Sequence, residues 1–336
     1  MTDLVFVGCY TEEAKGNGTG ITTFSRTSSG LDFVSTLPMT SPSWLVRHPS
    51  LPVLYAANET LTGEVTSLSI SALGELSVLD IASTGGAHPC HLAVTPDGRF
   101  LLCANYTGGS LAVFALDSSG RIGERTALVQ HTGSGPQADR QEAAHVHMAV
   151  PSSDGSIVSA VDLGTDEIRS YTLSSSGSLD LLAVSALPPG TGPRQLVRRP
   201  GTDLAYVVGE LGKTLLTLRE TSPGAFEVVA STPSTAGTCS GSNLVAHLEI
   251  SGERLYLSNR GPDCVTEFAL DPVPSAVADQ PCGAAPRHFT LLDDTCYVAA
   301  QLDDAITTFP LTASATADPH HHRTGTPTFI LPITLP

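Results

Sequence analysis

Residues 88–106 read HPCHLAVTPDGRFLLCANY, and they contain the unit from which the fold can be predicted. It contains a Pro-marked start, a short apolar run, the turn Pro96-Asp97-Gly98, a second short apolar run and the polar end Asn105-Tyr106. Short apolar runs bounded by turn residues are typical of a β-hairpin rather than of a helix. In an antiparallel hairpin the start of the first strand and the end of the second lie at the same edge. The polar residues at both ends are therefore expected to share one edge.

The same pattern recurs along the chain at a spacing of about 40–55 residues, which indicates a repeat array. Further copies begin at Ser41, Ala144, Gly192, Asn243 and Pro286. All-strand repeats of this length are typical of the blades of a β-propeller. The repeat therefore predicts an all-β chain in which the polar hairpin ends gather on one face of a ring.

The segments that follow each hairpin predict the remaining strands of each blade. Third strands are predicted at 21–24, 65–70, 111–116 and 305–309, and fourth strands at 31–37, 76–82, 122–129 and 179–186. Residues 4–9 are a second strand that no first strand precedes, and residues 326–331 are expected to supply it. We therefore predict one seven-bladed β-propeller domain over residues 1–336, closed by the C-terminal strand joining the N-terminal blade.

Two segments fit the repeat less well. Residues 313–323 are polar and are expected to form a loop where the last blade needs its fourth strand. Residues 133–142 are an insertion before the blade that starts near His145, and they are expected to overhang the site as a lid-like loop.

The charge of the chain limits which classes of molecule it is expected to bind. The net charge is −16, and there are two lysines, Lys15 and Lys213. Such a surface repels nucleic acid and anionic membranes, so neither is an expected partner. Arginines nevertheless lie beside the repeat turns, at Arg140, Arg194, Arg260 and Arg287. Because a guanidinium binds carboxylate or phosphate through a planar fork, a small anionic substrate is expected.

The seven cysteines include no CxxC pair. Cys9, Cys103 and Cys296 lie in apolar strand runs, where buried free thiols are expected. A disulfide among Cys239, Cys264 and Cys282 stays open. Met1-Thr2-Asp3 runs straight into the strand that begins at Leu4, without a signal peptide, and no apolar run is long enough to span a membrane. These features predict a cytoplasmic protein, expected to be a monomer or a weak dimer.

The polar residues that could carry chemistry cluster in the middle copies of the repeat: His145, His147, Asp162, Arg194, Glu210, Asn259, Arg260 and Arg287. His145 and His147 alternate with Val146, so on a strand both point the same way. A histidine that faces the channel of a propeller can act as a general acid or base near neutral pH. Arg194 and Glu210 flank one hairpin and are expected to form an ion pair.

A structural alternative stays open for several of these residues. Polar residues at blade turns hold neighbouring blades together through hydrogen bonds, which would explain Asn58, Asn105, Asp162 and Asn259. For His91 and His288, a structural hydrogen bond and a functional role are both open.

Other motifs give weaker evidence of function. The tract His320-His321-His322 suggests a metal site, but adjacent histidines do not readily share one ion, and only Asp318 lies nearby as an acidic ligand. No metal is therefore predicted. Because the sequence lacks a GxSxG motif and a phosphate-binding loop, serine hydrolase and P-loop chemistry are not expected.

At these residues the chain resembles the cytosolic seven-bladed propeller lactonases, which include bacterial propeller-type 6-phosphogluconolactonases and fungal carboxy-cis,cis-muconate cyclases. The resemblance covers nearly the whole chain. The motifs that carry it are HPCH at 88–91, PDGRF at 96–100, ANYTGG at 104–109, RQE at 140–142, HVH at 145–147, DLGTD at 162–166, GPR at 192–194 and LYLSNR at 255–260. One departure is Gln195, where the family often has His.

The resemblance implies an enzyme without metal or cofactor, whose catalytic residues fall on His147, Arg194, Glu210 and Arg260. The candidate substrate-binding residues are Arg287, His91, His145, Asn105, Asn259 and Asp162. The first hypothesis is a lactonase that hydrolyses a polar, anionic or sugar-derived lactone. The second is a carboxymuconate-type cyclase, which closes a lactone from a carboxylate substrate. The third is a non-catalytic propeller that serves as a binding scaffold.

Overall fold

The computed structural model describes residues 2–27, 30–239, 241–311 and 320–335. Over these ranges the protein is built almost entirely from β-strands, with two single-turn 3-10 helices at Glu12–Ala14 and Gln301–Asp303. The strands form seven sheets of four strands each. The predicted all-β, seven-bladed propeller fold is confirmed.

The first sheet combines the two ends of the chain. It consists, in spatial order, of β28 (Pro327–Leu335), β1 (Thr2–Cys9), β2 (Gly20–Thr27) and β3 (Gly30–Pro38). β28 pairs antiparallel with β1, with Phe6 opposite Leu331 and Val7 opposite Ile330. This pairing is the predicted closure, in which the C-terminal strand supplies the first strand of the N-terminal blade.

Each of the other six sheets is made of four consecutive strands. Two of them are β4 (Pro42–Arg47), β5 (Val53–Asn58), β6 (Glu64–Ile70) and β7 (Leu76–Ser83), then β8 (Pro89–Val94), β9 (Phe100–Asn105), β10 (Ser110–Leu116) and β11 (Ile122–Gln130). The next two are β12 (Val146–Pro151), β13 (Ile157–Asp162), β14 (Glu167–Leu173) and β15 (Leu179–Ala186), then β16 (Pro193–Arg198), β17 (Leu204–Gly209), β18 (Thr214–Ser222) and β19 (Ala225–Pro233). The last two are β20 (Leu244–Ser251), β21 (Arg254–Arg260), β22 (Cys264–Ala269) and β23 (Ser275–Pro281), then β24 (Pro286–Leu292), β25 (Thr295–Ala300), β26 (Ala305–Pro310) and β27 (His320–Arg323).

The chain divides into two compact units, and each is described by itself. Unit 1 comprises Met1–Leu45, Ile70–Leu76 and Pro233–Pro336, and unit 2 comprises Val46–Ser69 and Ser77–Thr232. In unit 2, one apolar cluster includes Leu102, Val113 and Val158, all fully buried. In unit 1, a corresponding cluster includes Val7 and Ile306. The second and third strands of the sheets supply most of this buried apolar surface, while the fourth strands are largely exposed.

A β-bulge recurs near the start of the first strand of several sheets. The pairing register shifts between Pro89 and His91, between Val146 and Met148, between Pro193 and Gln195, and between Pro286 and His288. The residues at the shifts are Cys90, His147, Arg194 and Arg287. Because the bulge recurs at the same place in these sheets, the four residues occupy equivalent positions. A bulge redirects the side chain at its position and is common beside active sites.

The turn before the third strand is equally regular. In six of the seven sheets the residue directly before the third strand has a positive φ: Gly63, Gly109, Asp166, Lys213, Asp263 and Asp304. Asp166 uses its carboxylate to accept hydrogen bonds from the backbone N–H groups of Gly190 and Gly192, at 2.6 and 2.7 Å. These bonds fix the segment that leads directly into Arg194.

The predicted polar loop at 313–323 is wrong in its last part. His320–Arg323 forms β27, the fourth strand of its sheet, and His321 lies opposite Thr307 of β26. A four-residue edge strand held by backbone pairing needs no apolar alternation, so the sequence pattern did not reveal it. Residues 312–319 lie outside the described residues.

Three further expectations concern thiols, metal and membranes. All seven cysteines are free, and all but Cys239 are buried. Among the described residues, no three His, Cys, Asp or Glu side chains are grouped so that they could hold a metal ion. His321 instead makes a 3.1 Å hydrogen bond with the hydroxyl of Thr307. Within the same ranges, no helix has the length and apolar character needed to cross a membrane.

Candidate active site

Three of the four predicted catalytic residues lie in direct contact in unit 2. Arg194 Nη1 is 2.7 Å from His147 Nε2 and 2.8 Å from Glu210 Oε2. Glu210 is 2% exposed and Arg194 8% exposed. The predicted ion pair between Arg194 and Glu210 is thus present, and His147 also contacts Arg194.

Arg140 and Tyr106 complete the network. From the sequence, Arg140 is one of the arginines that favour an anionic substrate, but neither residue is predicted to have a catalytic or substrate-binding role. Arg140 Nη2 donates to the other carboxylate oxygen of Glu210, Oε1, at 2.7 Å, and to the hydroxyl of Tyr106 at 3.2 Å. Burial alone would lower the pKa of Arg140, but the charge of Glu210 and the hydrogen bonds to Tyr106 and Glu210 raise it above its usual value. Glu210 therefore holds two guanidinium groups, one on each oxygen.

The Tyr106 ring connects the two histidines of the HVH motif. It stacks on His145, with ring centroids 4.6 Å apart, and meets His147 edge-on at 5.6 Å. His145 Nδ1 lies 3.1 Å from the backbone oxygen of Tyr106, and its Nε2 lies 3.1 Å from Oε1 of Glu142. His145 thus packs against the site, while His147 is the histidine that touches Arg194.

Hydrogen bonds of the Asp162 carboxylate anchor the segment that leads to His147. Asp162 Oδ1 accepts a 2.8 Å hydrogen bond from the backbone N–H of His145. Its Oδ2 lies 2.8 Å from Nδ1 of His131, whose Nε2 lies 2.9 Å from the hydroxyl of Tyr171. His131 and Asp162 are fully buried. This chain anchors the residue that precedes β12, and the bulge at His147 then turns its ring toward Arg194.

The electrostatics of the cluster favour an anion. Two guanidiniums share a single carboxylate, so Arg140, Arg194 and Glu210 together carry one excess positive charge. A guanidinium has donors only, so His147 Nε2 accepts from Arg194. His147 is therefore neutral with its proton on Nδ1, and its Nε2 lone pair faces the bound cation. This lone pair becomes available to take up a proton only when the hydrogen bond from Arg194 opens.

His91 has a different character. It is 5% exposed, and its Nδ1 accepts a 3.5 Å contact from the backbone N–H of Ala149. Burial, followed by the charge of Arg194, lowers the pKa of His91 to about 3. His91 is therefore neutral at physiological pH, and its part in substrate binding stays a prediction.

The buried amides and Asp162 show the hydrogen bonding of the structural alternative. Asn105, Asp162 and Asn259 are 0% exposed. Asn105 Nδ2 donates to Ser110 Oγ at 3.0 Å, and Asn259 Nδ2 donates to the backbone oxygen of Ser234 at 3.1 Å. These bonds tie neighbouring loops and strands together. A role of the three residues in substrate binding stays a prediction.

Arg260 and Arg287 lie in unit 1. Arg260 Nε donates to the backbone oxygen of Leu244 at 2.9 Å. Arg287 donates to the hydroxyl of Tyr10, and its guanidinium carbon lies 4.8 Å from the centre of the Tyr10 ring. The catalytic role of Arg260 and the substrate-binding role of Arg287 stay predictions.

A comparison with known proteins identifies the family. The family model for lactonases with a seven-bladed β-propeller matches residues 4–329. The chain belongs to this family. The predicted family and the predicted enzyme class, a propeller lactonase, are thereby confirmed.

Relatives with names support the assignment. The chain is 30% identical over 276 residues to the 6-phosphogluconolactonase of Bacillus subtilis, which covers 79% of this chain and 77% of that protein. It is 26% identical over 302 residues to the 6-phosphogluconolactonase of Formosa agariphila, covering 85% and 86% of the two chains. Among solved structures, the periplasmic gluconolactonase of Pseudomonas aeruginosa matches with a TM-score of 0.91 over 100% of both chains. Its 24% identity to this chain shows the shared fold alone.

Proposed function

We propose that this lactonase hydrolyses a polar, anionic lactone of the sugar-acid type, such as 6-phosphogluconolactone, at the site formed by His147, Arg194 and Glu210. The observation that carries the proposal is the contact of Arg194 with both His147 Nε2 and Glu210 Oε2, at 2.7 and 2.8 Å. It joins a proton acceptor to a fixed positive charge, and ester hydrolysis needs both.

In the proposed reaction, water attacks the lactone carbonyl carbon and His147 Nε2 takes up the proton that the water loses. The carbonyl oxygen becomes an oxyanion, which the guanidinium of Arg194 stabilises. When the tetrahedral intermediate collapses, the bond between the carbonyl carbon and the ring oxygen breaks. His147 then returns its proton to that oxygen. The product is a hydroxy acid, which ionises and releases one proton to the solvent.

The resting hydrogen bond between Arg194 and His147 shapes this sequence. Nη1 of Arg194 occupies the Nε2 lone pair of His147, so it must turn toward the substrate before His147 can accept a proton. An oxyanion forming near Arg194 competes for the same N–H group and frees the histidine. Glu210 keeps the guanidinium in place from its other side. We assign Glu210 the role of holding Arg194.

We also propose that the enzyme works without a metal and in the cytoplasm, as a monomer or weak dimer. The proposed chemistry assigns the charge stabilisation to guanidiniums and the proton transfer to histidine. The seven free thiols support a reducing compartment. Measuring the rate before and after dialysis against a chelator tests the first point. A lost rate that added metal restores would contradict it.

The experiment that tests the function is a hydrolysis screen in which the release of acid is measured. The panel contains 6-phosphogluconolactone, gluconolactone and a muconolactone, each measured with wild type and Arg194→Ala. We expect acid release by wild type and a loss of about 10²–10³-fold in kcat for the variant, as when an oxyanion donor is removed. Absence of hydrolysis, together with loss of carboxymuconate absorbance in a parallel assay, would instead identify a cyclase. Absence of any turnover on this panel would contradict the proposal and favour a binding scaffold.

A further inference from the structure

Arg140 has hydrogen-bond donors that the protein does not use. Its Nη2 group donates to Glu210 and Tyr106, and these are its hydrogen bonds within the described part of the chain. The N–H groups of Nη1 and Nε thus have no acceptor there. The side chain of Arg140 is 32% exposed, whereas that of Arg194 is 10% exposed. Of the two guanidiniums on Glu210, Arg140 is therefore the one more accessible to a ligand from solution.

The hydroxyl of Tyr106 adds a second donor at the same place. It accepts from Arg140 at 3.2 Å, and its own proton has no acceptor among residues 2–27, 30–239, 241–311 and 320–335. Burial raises the pKa of this phenol above its ordinary value, so the group stays protonated and can donate. Arg140 and Tyr106 therefore form a pair of adjacent donors beside the reacting residues.

The loop that carries Arg140 is held rigidly. Gln141 is fully buried, and its side-chain nitrogen donates to the backbone oxygen of Leu163 at 2.9 Å. Its backbone oxygen accepts from Gly135 at 2.9 Å, and its side-chain oxygen accepts from the backbone N–H of Gln137 at 3.2 Å. The loop at 133–142 is thus internally braced. A donor fixed in this way loses little conformational entropy on binding a ligand, which favours selectivity.

The charge balance supports an anionic ligand at Arg140. Glu210 is shared with Arg194, so it compensates only part of the charge of Arg140. Glu142 on the same loop interacts electrostatically with Arg140, but its side chain is 57% exposed and lies 3.1 Å from Nε2 of His145. A bound carboxylate or phosphate would complete the compensation with charge-assisted hydrogen bonds.

We infer that Arg140, aligned by Tyr106 and Glu210, is a specificity-determining residue that binds an acidic group of the substrate away from the reacting carbonyl. This inference rests on the proposed function and divides the labour between the two guanidiniums. Arg194 serves the ester group that reacts, and Arg140 selects the lactone that carries a separate carboxylate or phosphate. The Tyr106 hydroxyl supplies one further hydrogen bond to that acidic group.

The test compares charged and neutral lactones of similar shape. The probes are 6-phosphogluconolactone, a glucarolactone that carries a carboxylate, and neutral gluconolactone. The variants are Arg140→Gln, Arg140→Lys and Tyr106→Phe. The control is Arg121→Gln, which removes an exposed arginine of unit 2 that pairs with Asp80. For Arg140→Gln we expect KM for the charged probes to rise about 10- to 100-fold, as for loss of a charged hydrogen-bond pair, and KM for gluconolactone to rise clearly less. Arg140→Lys is expected to restore part of the loss, and Tyr106→Phe to lose less than Arg140→Gln.

Each outcome has a definite meaning. A larger effect on the phosphate probe than on the carboxylate probe identifies phosphate as the preferred group, and the reverse identifies carboxylate. An equal fall of kcat/KM on charged and neutral lactones would overturn the inference, because Arg140 would then act only by holding Glu210. If wild type hydrolyses none of the probes, the proposed function fails. Calorimetric titration of wild type and Arg140→Gln with 6-phosphogluconate then decides the inference alone. Equal binding by both overturns it, and weaker binding by the variant supports it. If Arg140→Gln does not fold, Arg140→Lys and Tyr106→Phe carry the same comparison.

Discussion

Replacing Glu210 with Gln tests the buried charge pair that organises the site. The change keeps the size of the side chain but removes the negative charge that two guanidiniums share. At 2.8 Å between Arg194 Nη1 and Glu210 Oε2, the attraction is about 6 kcal/mol at an effective dielectric constant of about 20, before the cost of desolvation. The net effect is smaller. Breaking a buried ion pair from one side leaves the other charge uncompensated and costs about 3–5 kcal/mol.

The exposure of each partner decides how this cost is distributed. The Arg194 side chain is 10% exposed and bears most of it, whereas Arg140 is 32% exposed, so its unpaired charge is partly solvated and adds at most about 1 kcal/mol. We therefore expect Glu210→Gln to lower the free energy of unfolding by about 3–5 kcal/mol. We also expect kcat/KM to fall about 10- to 100-fold, because Arg194 loses its fixed orientation.

The assay is urea unfolding, monitored by far-ultraviolet circular dichroism. The matched control is Glu220→Gln, which removes an Arg–Glu pair in the same unit. Glu220 lies 2.7 Å from Arg198, with the two side chains 22% and 24% exposed. This pair is more exposed than the pair of Arg194 and Glu210, so its loss is expected to cost less stability than the loss of the buried pair. Equal losses of stability in the two variants would refute the conclusion that burial of the Arg194–Glu210 pair is what makes it costly to break.

Three further predictions concern other parts of the fold. Gly192→Ala places a Cβ 2.4 Å from Leu211 Cγ at a φ of +57°, so we expect a loss of about 1–3 kcal/mol in urea unfolding, and an unchanged midpoint would contradict it. Burial raises the pKa of Glu249 to about 7 from an ordinary 4.5, so its neutral form favours folding. Stability from this group is full below pH about 4.5 and is lost as the pH rises to about 7, so Glu249→Gln should be stabilised relative to wild type at pH 8 but not at pH 4.5. In a thiol titration of the native protein, Cys239 alone should react quickly, with all seven thiols reacting in denaturant; fast reaction of several native thiols would show the buried set to be accessible.

The repeat explains why so much of the fold could be predicted. Turn residues and apolar runs are local features, so the hairpin at 88–106 and the equivalent hairpins are visible in the sequence. No first strand precedes the strand that begins at Leu4, and the apolar segment 326–331 was therefore expected to supply the first strand of that blade. β28 at Pro327–Leu335 confirms that argument.

The contacts of the site were harder to predict. His147, Arg194 and Glu210 follow from the repeat register, because each lies at a hairpin end. Tyr106 also lies at a hairpin end, but its contact with Arg140 does not follow from the register, since it joins a long loop to the end of β9 across 34 residues. The path of such a loop is set by Gln141, a single buried side chain that no periodicity marks.

Strand alternation also gave an incomplete account of the two histidines. It predicts that His145 and His147 point the same way, but the structure has a β-bulge between Val146 and Met148. The bulge breaks the alternation at His147 itself. Bulges depend on how two strands pair, which a single strand's sequence does not encode.

We propose that His147, held by Arg194, performs the proton transfer of lactone hydrolysis. The most direct test of this proposal is the initial rate of acid release from 6-phosphogluconolactone by wild type and His147→Ala, corrected for spontaneous hydrolysis. Circular dichroism confirms that the variant is folded. We expect wild type to accelerate hydrolysis and the variant to lose about 10²–10⁴-fold in kcat, the contribution of a general acid–base. A folded variant that keeps the wild-type kcat would contradict it.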